Sequence, residues 1–465
     1  MPDLTIETTP IPGLLVVRLD LREDARGFFK ENWQREKMVA LGLPDFGPVQ
    51  NNVSFNAHRG TTRGIHTEPW DKFISVANGR IFGAWVDMRE GETFGATFHV
   101  EVDPSVAVFV PRGVGNSYQT LEDGVAYTYL VNEHWRPATA YPALNLADET
   151  VAIPWPIPLS ESEISDKDLA TPSLAEVTPM APKKTLIVGA LGQLGRALQA
   201  DFPEADLVDL AELDLTDATA VAAWPWHEYA LVLNAAAYTA VDAAETPEGR
   251  RTCWAANAAA PATLARLADE HGFTLVHYSS EYVFDGTVPE HTEDEPVSPL
   301  GVYAQTKAAG DLAVATARRH YVLRTSWVIG EGNNFVRTMK RLAEQGVSPE
   351  VVSDQVGRLT FTGELARATR HLLDSQAPFG IYHCSNGGPA MSWADIASAV
   401  FELCGRSTDD VRPITTEQYA VGKTLAPRPA SSTMSLAKLA STGFVPVDAA
   451  TALRDYVTGS APTDG

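Results

Sequence analysis

The chain is short of cysteine, short of positive charge and without a long apolar run, and each shortage removes a class of protein. Its 465 residues hold three cysteines, Cys253, Cys384 and Cys404. They are an odd set with no Cys-x-x-Cys pair, so neither a disulfide framework nor a zinc knuckle is expected, and a reduced, cytoplasmic protein is. Lysine and arginine together number 36 against 59 acidic residues, a net charge of -23. Nucleic acid and anionic membranes both demand clustered cations, so neither is expected as a partner. A membrane span needs about 18 consecutive apolar residues, and no such stretch occurs. Met1-Pro2-Asp3 opens the chain without the basic and apolar regions of a signal peptide. Acidic residues are plentiful but fall in no metal-ligand pattern, which leaves Mg2+ open without indicating it.

What is present reads as soluble and globular, with 45% hydrophobic and 20% charged residues. The length asks for two or three cores. Over residues 1–150, short β-rich runs recur: Leu14–Leu19, Lys72–Val76, Arg80–Asp87, Thr97–Val102, Val106–Val110 and Ala126–Val131. Turn signals such as Asn78-Gly79 and Asp123-Gly124 separate them, a pattern that predicts an antiparallel barrel or sandwich. The proline-rich stretches Ile153–Pro158 and Thr171–Lys183 follow, the second reading as a linker. From Lys184 strands and helices alternate, with a helix over Ala255–Glu270 among them, which predicts a parallel, doubly wound sheet.

The first strand of that second half runs into Gly189-Ala190-Leu191-Gly192-Gln193-Leu194-Gly195. Glycines there let the backbone approach a pyrophosphate, and the next helix offers N–H donors at its positive end. Asp209 ends the second strand and suits an adenosine ribose; Arg196 favours a 2′-phosphate, so NADH and NADPH both stay open. Farther on, Tyr303 and Lys307 stand four apart at the start of a helical run. One face then carries both, a phenol beside a fixed positive charge. Alone, such a pair is most often a packed ring next to a solvated charge. The glycine-rich turn and Ser280 change that weighting.

Residues 184–458 resemble dTDP-4-dehydrorhamnose reductase, an extended short-chain dehydrogenase/reductase. The matching stretches are Asn234–Glu245, His277–Gly286, Val302–Lys307, Arg324–Val328, Gly332–Phe335 and Arg428–Ser432. The resemblance implies a Rossmann fold and a catalytic trio of Ser280, Tyr303 and Lys307. It puts the NADPH or NADH cofactor against Gly189, Gly192, Gln193, Leu194, Gly195, Asp209, Ala235, Ala236 and Ala237, besides Tyr303 and Lys307. Substrate contacts fall on Val241, Ser280, Glu281, Trp327 and Arg428, with Asn257 a further polar candidate near the cofactor. Position 280 is more often Thr in that family, and position 281 more often Asp.

In the first half, Asp24–Glu31, Gln50–Ser54 and Thr62–His66 stand out. Arginines near glycines suit a diphosphate, and His66 with Lys72 offers a base and an oxyanion stabiliser, although a lone histidine in a mixed loop is more often a surface residue. The ordered set resembles dTDP-4-dehydrorhamnose 3,5-epimerase over residues 3–170, which implies an all-β, cupin-like jelly roll. By that resemblance His66 is the base, Asp168 its partner, Lys72 the enolate stabiliser and Tyr129 the acid. Arg26, Glu31, Gln50, Asn52, Arg63, Asn116 and Trp135 fall to the substrate. The chain departs from the family's pattern with Asn116 in place of His, with Gly83 in place of Asp, and with a shorter loop between His66 and Lys72. Positions 83 and 116 are read as a contacting pair lost together.

The expected organisation is therefore an epimerase-like domain over 1–170, a linker over 171–183 and an NAD(P)-binding reductase-like domain over 184–465. Two successive reactions on one dTDP-sugar are implied, ending in dTDP-L-rhamnose, in a homodimer built through the first domain. One alternative is a related ketodeoxysugar, with another nucleotide or inversion at a single carbon. A second is a nucleotide-responsive sensor on inactive folds, against which the surviving Tyr303/Lys307 and His66/Lys72/Tyr129 sets both speak.

Overall fold

A computed structural model describes residues 4–134 and 141–459. The chain divides into two units, Met1–Pro182 and Lys183–Gly465. Trp135 lies outside the described residues.

The first unit is two antiparallel sheets face to face. Its strands are β1 (Thr5–Thr8), β2 (Leu15–Arg18), β3 (Leu21–Asp24), β4 (Gly27–Lys30), β5 (Gln50–Asn56), β6 (Thr62–His66), β7 (Lys72–Asn78), β8 (Ile81–Asp87), β9 (Thr97–Val102), β10 (Val106–Val110), β11 (Val114–Thr120), β12 (Val125–Val131) and β13 (Ala143–Leu144). One sheet runs β1-β2-β10-β7-β12-β5 and the other β13-β6-β11-β8-β9, while β3 and β4 form a separate hairpin. Two short helices complete it, α1 (Arg35–Ala40) and α2 (Asp166–Leu169). Side chains alternate across each strand, so one set meets between the sheets. There Ile74, Val76, Ile81, Trp85, Val114, Tyr118 and Tyr127 form the core. β8 is buried on both faces because Phe82, Ala84 and Val86 pack outward against Leu144, Leu146, Val151 and Ile153. Leu174, inside the stretch read as a linker, is buried in that same cluster.

β5, β6 and β11 run through stretches whose apolar pattern does not announce a strand. In β5 the rule is inverted. Gln50, Asn52 and Ser54 are half-buried and Asn56 is buried, whereas Val53 and Phe55 are 69% and 65% exposed. β5 is also a sheet edge.

The second unit is a six-stranded parallel sheet with helices on both faces. In chain order it brings β14 (Lys184–Val188), α3 (Gln193–Asp201), β15 (Asp206–Val208), α4 (Ala218–Ala223), β16 (Tyr229–Asn234), α5 (Pro247–Trp254), α6 (Ala260–His271), β17 (Thr274–Ser280), α7 (Val302–Val314) and β18 (His320–Thr325). Spatially the strands run β15-β14-β16-β17-β18, closed by Gly380–Cys384. The chain steps from β14 to one side, then returns to the other. In an open α/β sheet that reversal leaves a crevice at the carboxyl ends of the strands. α3 and the helix Thr362–Asp374 cover one face; α4, α6 and α7 cover the other. The helix expected from Ala255 starts earlier: Thr246 caps α5, Pro247 sits at its first position, and a π turn over Ala255–Ala259 joins it to α6.

All six residues of β18 are buried, including Arg324. Its guanidinium donates to Asp311 of α7 at 2.9 Å, both side chains being almost wholly enclosed. Removing one partner of such a pair strands a charge in a low dielectric, at a cost of about 3–5 kcal/mol. Arg324→Leu is thus expected to lower the unfolding free energy of the second unit, read from urea titration, by that amount. A loss below about 1 kcal/mol, the scale of an exposed pair, would contradict this reading of the core.

Candidate active sites

In the first unit His66 ends β6, and its Nε2 lies 2.9 Å from Asp168 Oδ1. Asp168 comes from the first turn of α2, far along the chain. Ser165 caps that helix by accepting from the Asp168 N–H. The second carboxylate oxygen accepts from the Gly64 N–H at 3.1 Å. Gly64 is required there because a Cβ would stand 2.6 Å from Asp168 Oδ1. A carboxylate accepting at Nε2 means that Nε2 carries the proton, which leaves Nδ1 of His66 with a free lone pair.

Lys72 opens β7, buried and ion-paired with Glu68. Its ammonium is 5.8 Å from the centre of the Tyr129 ring. Burial first, and then the Glu68 carboxylate, push the Tyr129 phenol up, against the opposing pull of Arg63. Asn52 pairs with Tyr129 in register, Gln50 with Val131, and the two amides are joined at 2.8 Å. Arg63 donates to Asn56 at 3.2 Å. Glu68 and Arg63 thus act on one phenol, that of Tyr129. Arg26 is not among them: it stands exposed at the turn of the β3–β4 hairpin with Asp24 as partner. Glu31, also exposed, pairs with Lys37.

The two departures in this unit meet in one residue. Asn116 lies across from His66 on one side and from Trp85 on the other, whereas Gly83 pairs with Tyr118. Trp85 donates from its indole nitrogen to Asn116 Oδ1 at 3.0 Å. Its ring occupies the space over Gly83, where a Cβ would approach Cη2 to 2.3 Å. Positions 83 and 116 are therefore not a direct pair; Trp85 stands between them. Sequence reading missed Trp85, whose only signal was a large residue on a strand beside an unexpected glycine.

In the second unit the glycine-rich turn is built by close approach. A Cβ on Gly189 would lie 2.6 Å from the Ala236 N, and one on Gly195 2.2 Å from the Gly189 carbonyl oxygen. The loop Ala235–Ala237 therefore packs against the turn, and α3 starts hard against β14. Gly192 is the exposed N-cap of α3, so the N–H groups of Gln193, Leu194 and Gly195 have no intrahelical acceptor. The Asp209 carboxylate accepts from the Leu191 N–H at 2.8 Å and so closes the turn. Backbone donors at a helix start, with no side chain in the way, fit a dinucleotide pyrophosphate. Asn257 acts beside this cradle rather than in it, donating to the Tyr238 carbonyl at 2.9 Å and accepting from its N–H at 2.8 Å. Among the described residues no three metal-ligating side chains gather.

Ser280 ends β17 at the carboxyl edge of the sheet, and Tyr303 and Lys307 lie one turn apart on α7. Lys307 is buried and donates to the Tyr278 carbonyl at 2.6 Å. Burial pulls its ammonium down to about 8, and Asp311 on the next turn partly restores it. Burial, and then Glu281, hold the Tyr303 phenol above its ordinary value; the Ser280 hydroxyl reaches it. Ser280 Oγ also lies within hydrogen-bond distance of the Glu281 carboxyl, at 2.8 Å. Arg428 is tied to Asp242 at 2.9 Å, with Val241 adjacent in the same loop. Trp327 has one face covered by Trp393, ring centres 3.7 Å apart, in the core of the last third of the chain.

Comparison with known proteins finds a relation for each unit. The family described as dTDP-4-dehydrorhamnose 3,5-epimerase matches residues 8–176, and the family described as RmlD substrate binding domain matches 183–461. A protein RmlC homolog of Streptococcus pyogenes is 47% identical, over 38% of this chain and 92% of its own length. The dTDP-4-dehydrorhamnose reductase of Mycolicibacterium smegmatis is 37% identical, over 61% of this chain and 88% of its own. Among solved structures, the Clostridium acetobutylicum reductase superposes with a TM-score of 0.55 at 35% identity, covering 59% of this chain and 98% of that one. The Bacillus anthracis reductase, in complex with NADP, gives 0.54 at 29%, covering 60% of this chain and 100% of that one.

Proposed function

We propose that this chain, which belongs to the dTDP-4-dehydrorhamnose 3,5-epimerase family in its first unit and to the RmlD substrate binding domain family in its second, carries out two successive steps on one nucleotide sugar. dTDP-4-dehydro-6-deoxy-D-glucose is epimerised at carbons 3 and 5, and the product is reduced at carbon 4 to dTDP-L-rhamnose. The observation that carries the reading is the pairing, in one chain, of the His66–Asp168 dyad beside Lys72 and Tyr129 with the Ser280–Tyr303–Lys307 group at a dinucleotide cradle.

For the first step, the protons on carbons 3 and 5 are acidic because both carbons flank the 4-keto group. His66 takes each proton at Nδ1 while Asp168 holds Nε2–H and stabilises the imidazolium. Lys72 faces the enolate oxygen as the carbonyl gains charge. Tyr129, kept protonated by burial, returns a proton from the other side of the ring. Gln50, Asn52, Asn116 and Arg63 line the space for the sugar and its diphosphate, and Arg26, Glu31 and Trp135 complete the set.

For the second step, bound NADPH or NADH supplies the hydride that reaches carbon 4. Tyr303 gives its proton to oxygen 4, a direction suited to a phenol held above its ordinary value. Lys307 keeps a positive charge near that phenol and reaches the cofactor ribose. Ser280 donates to the oxygen as it becomes an alkoxide. Glu281, Val241, Trp327 and Arg428 surround the sugar. Three free thiols and a reduced nicotinamide fit the cytoplasm.

The chain is also a homodimer through its first unit. β5 is a sheet edge that turns Val53 and Phe55 outward, and unpaired edges with apolar side chains invite a second strand. Light scattering is expected to give twice the chain mass, and one chain mass for Val53→Asp/Phe55→Asp. A wild-type monomer would remove the assembly.

The two chemistries separate by mutation. His66→Ala is expected to take up no solvent deuterium at carbons 3 and 5, and to make dTDP-L-rhamnose again when a separate epimerase is added. Tyr303→Phe should take up deuterium normally but oxidise NADPH at least about 100-fold more slowly, the usual worth of a general acid. Deuterium uptake by His66→Ala at the wild-type rate would sink the first assignment, and full reduction by Tyr303→Phe the second.

A further inference from the structure

Glu281 has no stated task beyond its place near the sugar, yet it is a buried carboxyl beside the reductase trio. It is 4% exposed and follows Ser280 directly on the turn that leaves β17. A serine hydroxyl has one proton and two lone pairs. One lone pair of Ser280 is already taken, by the Tyr282 N–H at 3.2 Å. Its other partners are the Tyr303 phenol and Glu281 Oε2 at 2.8 Å, and which atom holds the proton toward Glu281 decides what Ser280 can do.

We propose that Glu281 is a proton-holding positioning residue for the reduction, which its neutral form enables and its ionised form disables. With Glu281 neutral, its O–H donates to Ser280 Oγ. Both lone pairs of the serine are then filled, and its own proton is directed outward, to oxygen 4 of the sugar. With Glu281 ionised, the carboxylate draws that proton to itself, and the developing alkoxide loses a donor. Glu281 gives up no proton in the net reaction: carbon 4 receives the hydride and oxygen 4 the proton of Tyr303. The inference rests on the reductase assignment made above.

The surroundings support a shared proton at this point. Burial pushes the Glu281 carboxyl up to about 7, with hydrogen bonds from Ser280 and Ser432 opposing. Tyr303 of α7 and Tyr282 on Glu281's own turn face it, and both phenols are held above their ordinary values. Arg428 acts on Tyr282 and is already matched by Asp242, and the Lys307 ammonium is turned to the Tyr278 carbonyl. No cation is therefore committed to Glu281, and folding favours its neutral form. An acid raised from 4.5 to about 7 keeps that form below pH 7 and loses it above.

The test is the pH dependence of NADPH oxidation by the full chain, with substrate pre-equilibrated by an excess of separate 3,5-epimerase so that His66 drops out. Wild-type kcat is expected to fall about fourfold from pH 6 to 7.5, the change in neutral fraction around a midpoint near 7. Glu281→Gln carries an amide N–H that donates to Ser280 at every pH. Whatever its rate at pH 6, that rate should change less than about 1.5-fold over the same interval, and its remaining alkaline limb, near 8, belongs to Lys307. A wild-type midpoint that persists in Glu281→Gln overturns the proposal, as does a flat wild-type profile. A second reading needs no turnover: infrared difference spectra between pH 6 and 8.5 should show a protonated-carboxyl band in wild type that Glu281→Gln lacks, and identical spectra overturn it. If wild type oxidises no NADPH at any pH, the reductase assignment itself has failed, and the infrared band alone then judges Glu281.

Discussion

Lys307 holds an ammonium inside the apolar body of the second unit, and the surrounding structure is arranged to keep it there. The Tyr278 carbonyl takes one of its protons at 2.6 Å, and Asp311 supplies opposite charge from the next turn of α7. Asp311 is shared with Arg324 of β18, so a row of alternating charges runs from the trio into the sheet. A buried ion costs several kcal/mol unless it is paired and hydrogen-bonded. This row meets that cost and fixes α7 against β17 and β18. Tyr303, on the same helix, is thereby set at the edge where Ser280 ends its strand. The position of the proposed acid is a by-product of satisfying a buried lysine.

The first unit solves the same problem on a different scaffold. Its interior is polar at one end, with Lys72 matched by Glu68 and His66 by Asp168. Asp168 is imported from a four-residue helix that nothing else in the sheets requires, and Gly64 gives up its side chain to let that carboxylate in. The two units share no element of architecture. They are joined by chemistry: the ketone that makes carbon-bound protons removable in the first is the group that accepts hydride in the second. Reduction before epimerisation would end the acidity on which the first step depends, so the order is set by the substrate.

Much of this was legible in the sequence, for reasons that differ by residue. Gly189 and Gly195 announce themselves because the backbone approach they allow leaves no room for a Cβ, and Gly192 by its place between them at the start of α3. Tyr303 and Lys307 share a helix face by their spacing, and the glycine-rich turn and Ser280 give the pair its weight. β5 and β11 were not found, since alternation of apolar residues assumes that the buried face is apolar. In β5 that face carries Gln50, Asn52 and Asn56, and Val53 and Phe55 point outward. A strand that buries polar side chains and turns apolar ones outward reads backwards. Trp85 was missed because its partner Asn116 lies across a strand pair and its contact with Gly83 leaves no periodic trace. The cap that starts α5 before Ala255 was local and could have been read from Thr246-Pro247.

Two sequential reactions in one chain can be seen in a single incubation. The intact protein is given dTDP-4-dehydro-6-deoxy-D-glucose and NADPH in D2O, and the product is examined by NMR. The expected product is dTDP-L-rhamnose with deuterium at carbons 3 and 5. A reduced sugar with no deuterium at either carbon, or no reduced sugar unless a separate epimerase is added, would contradict it.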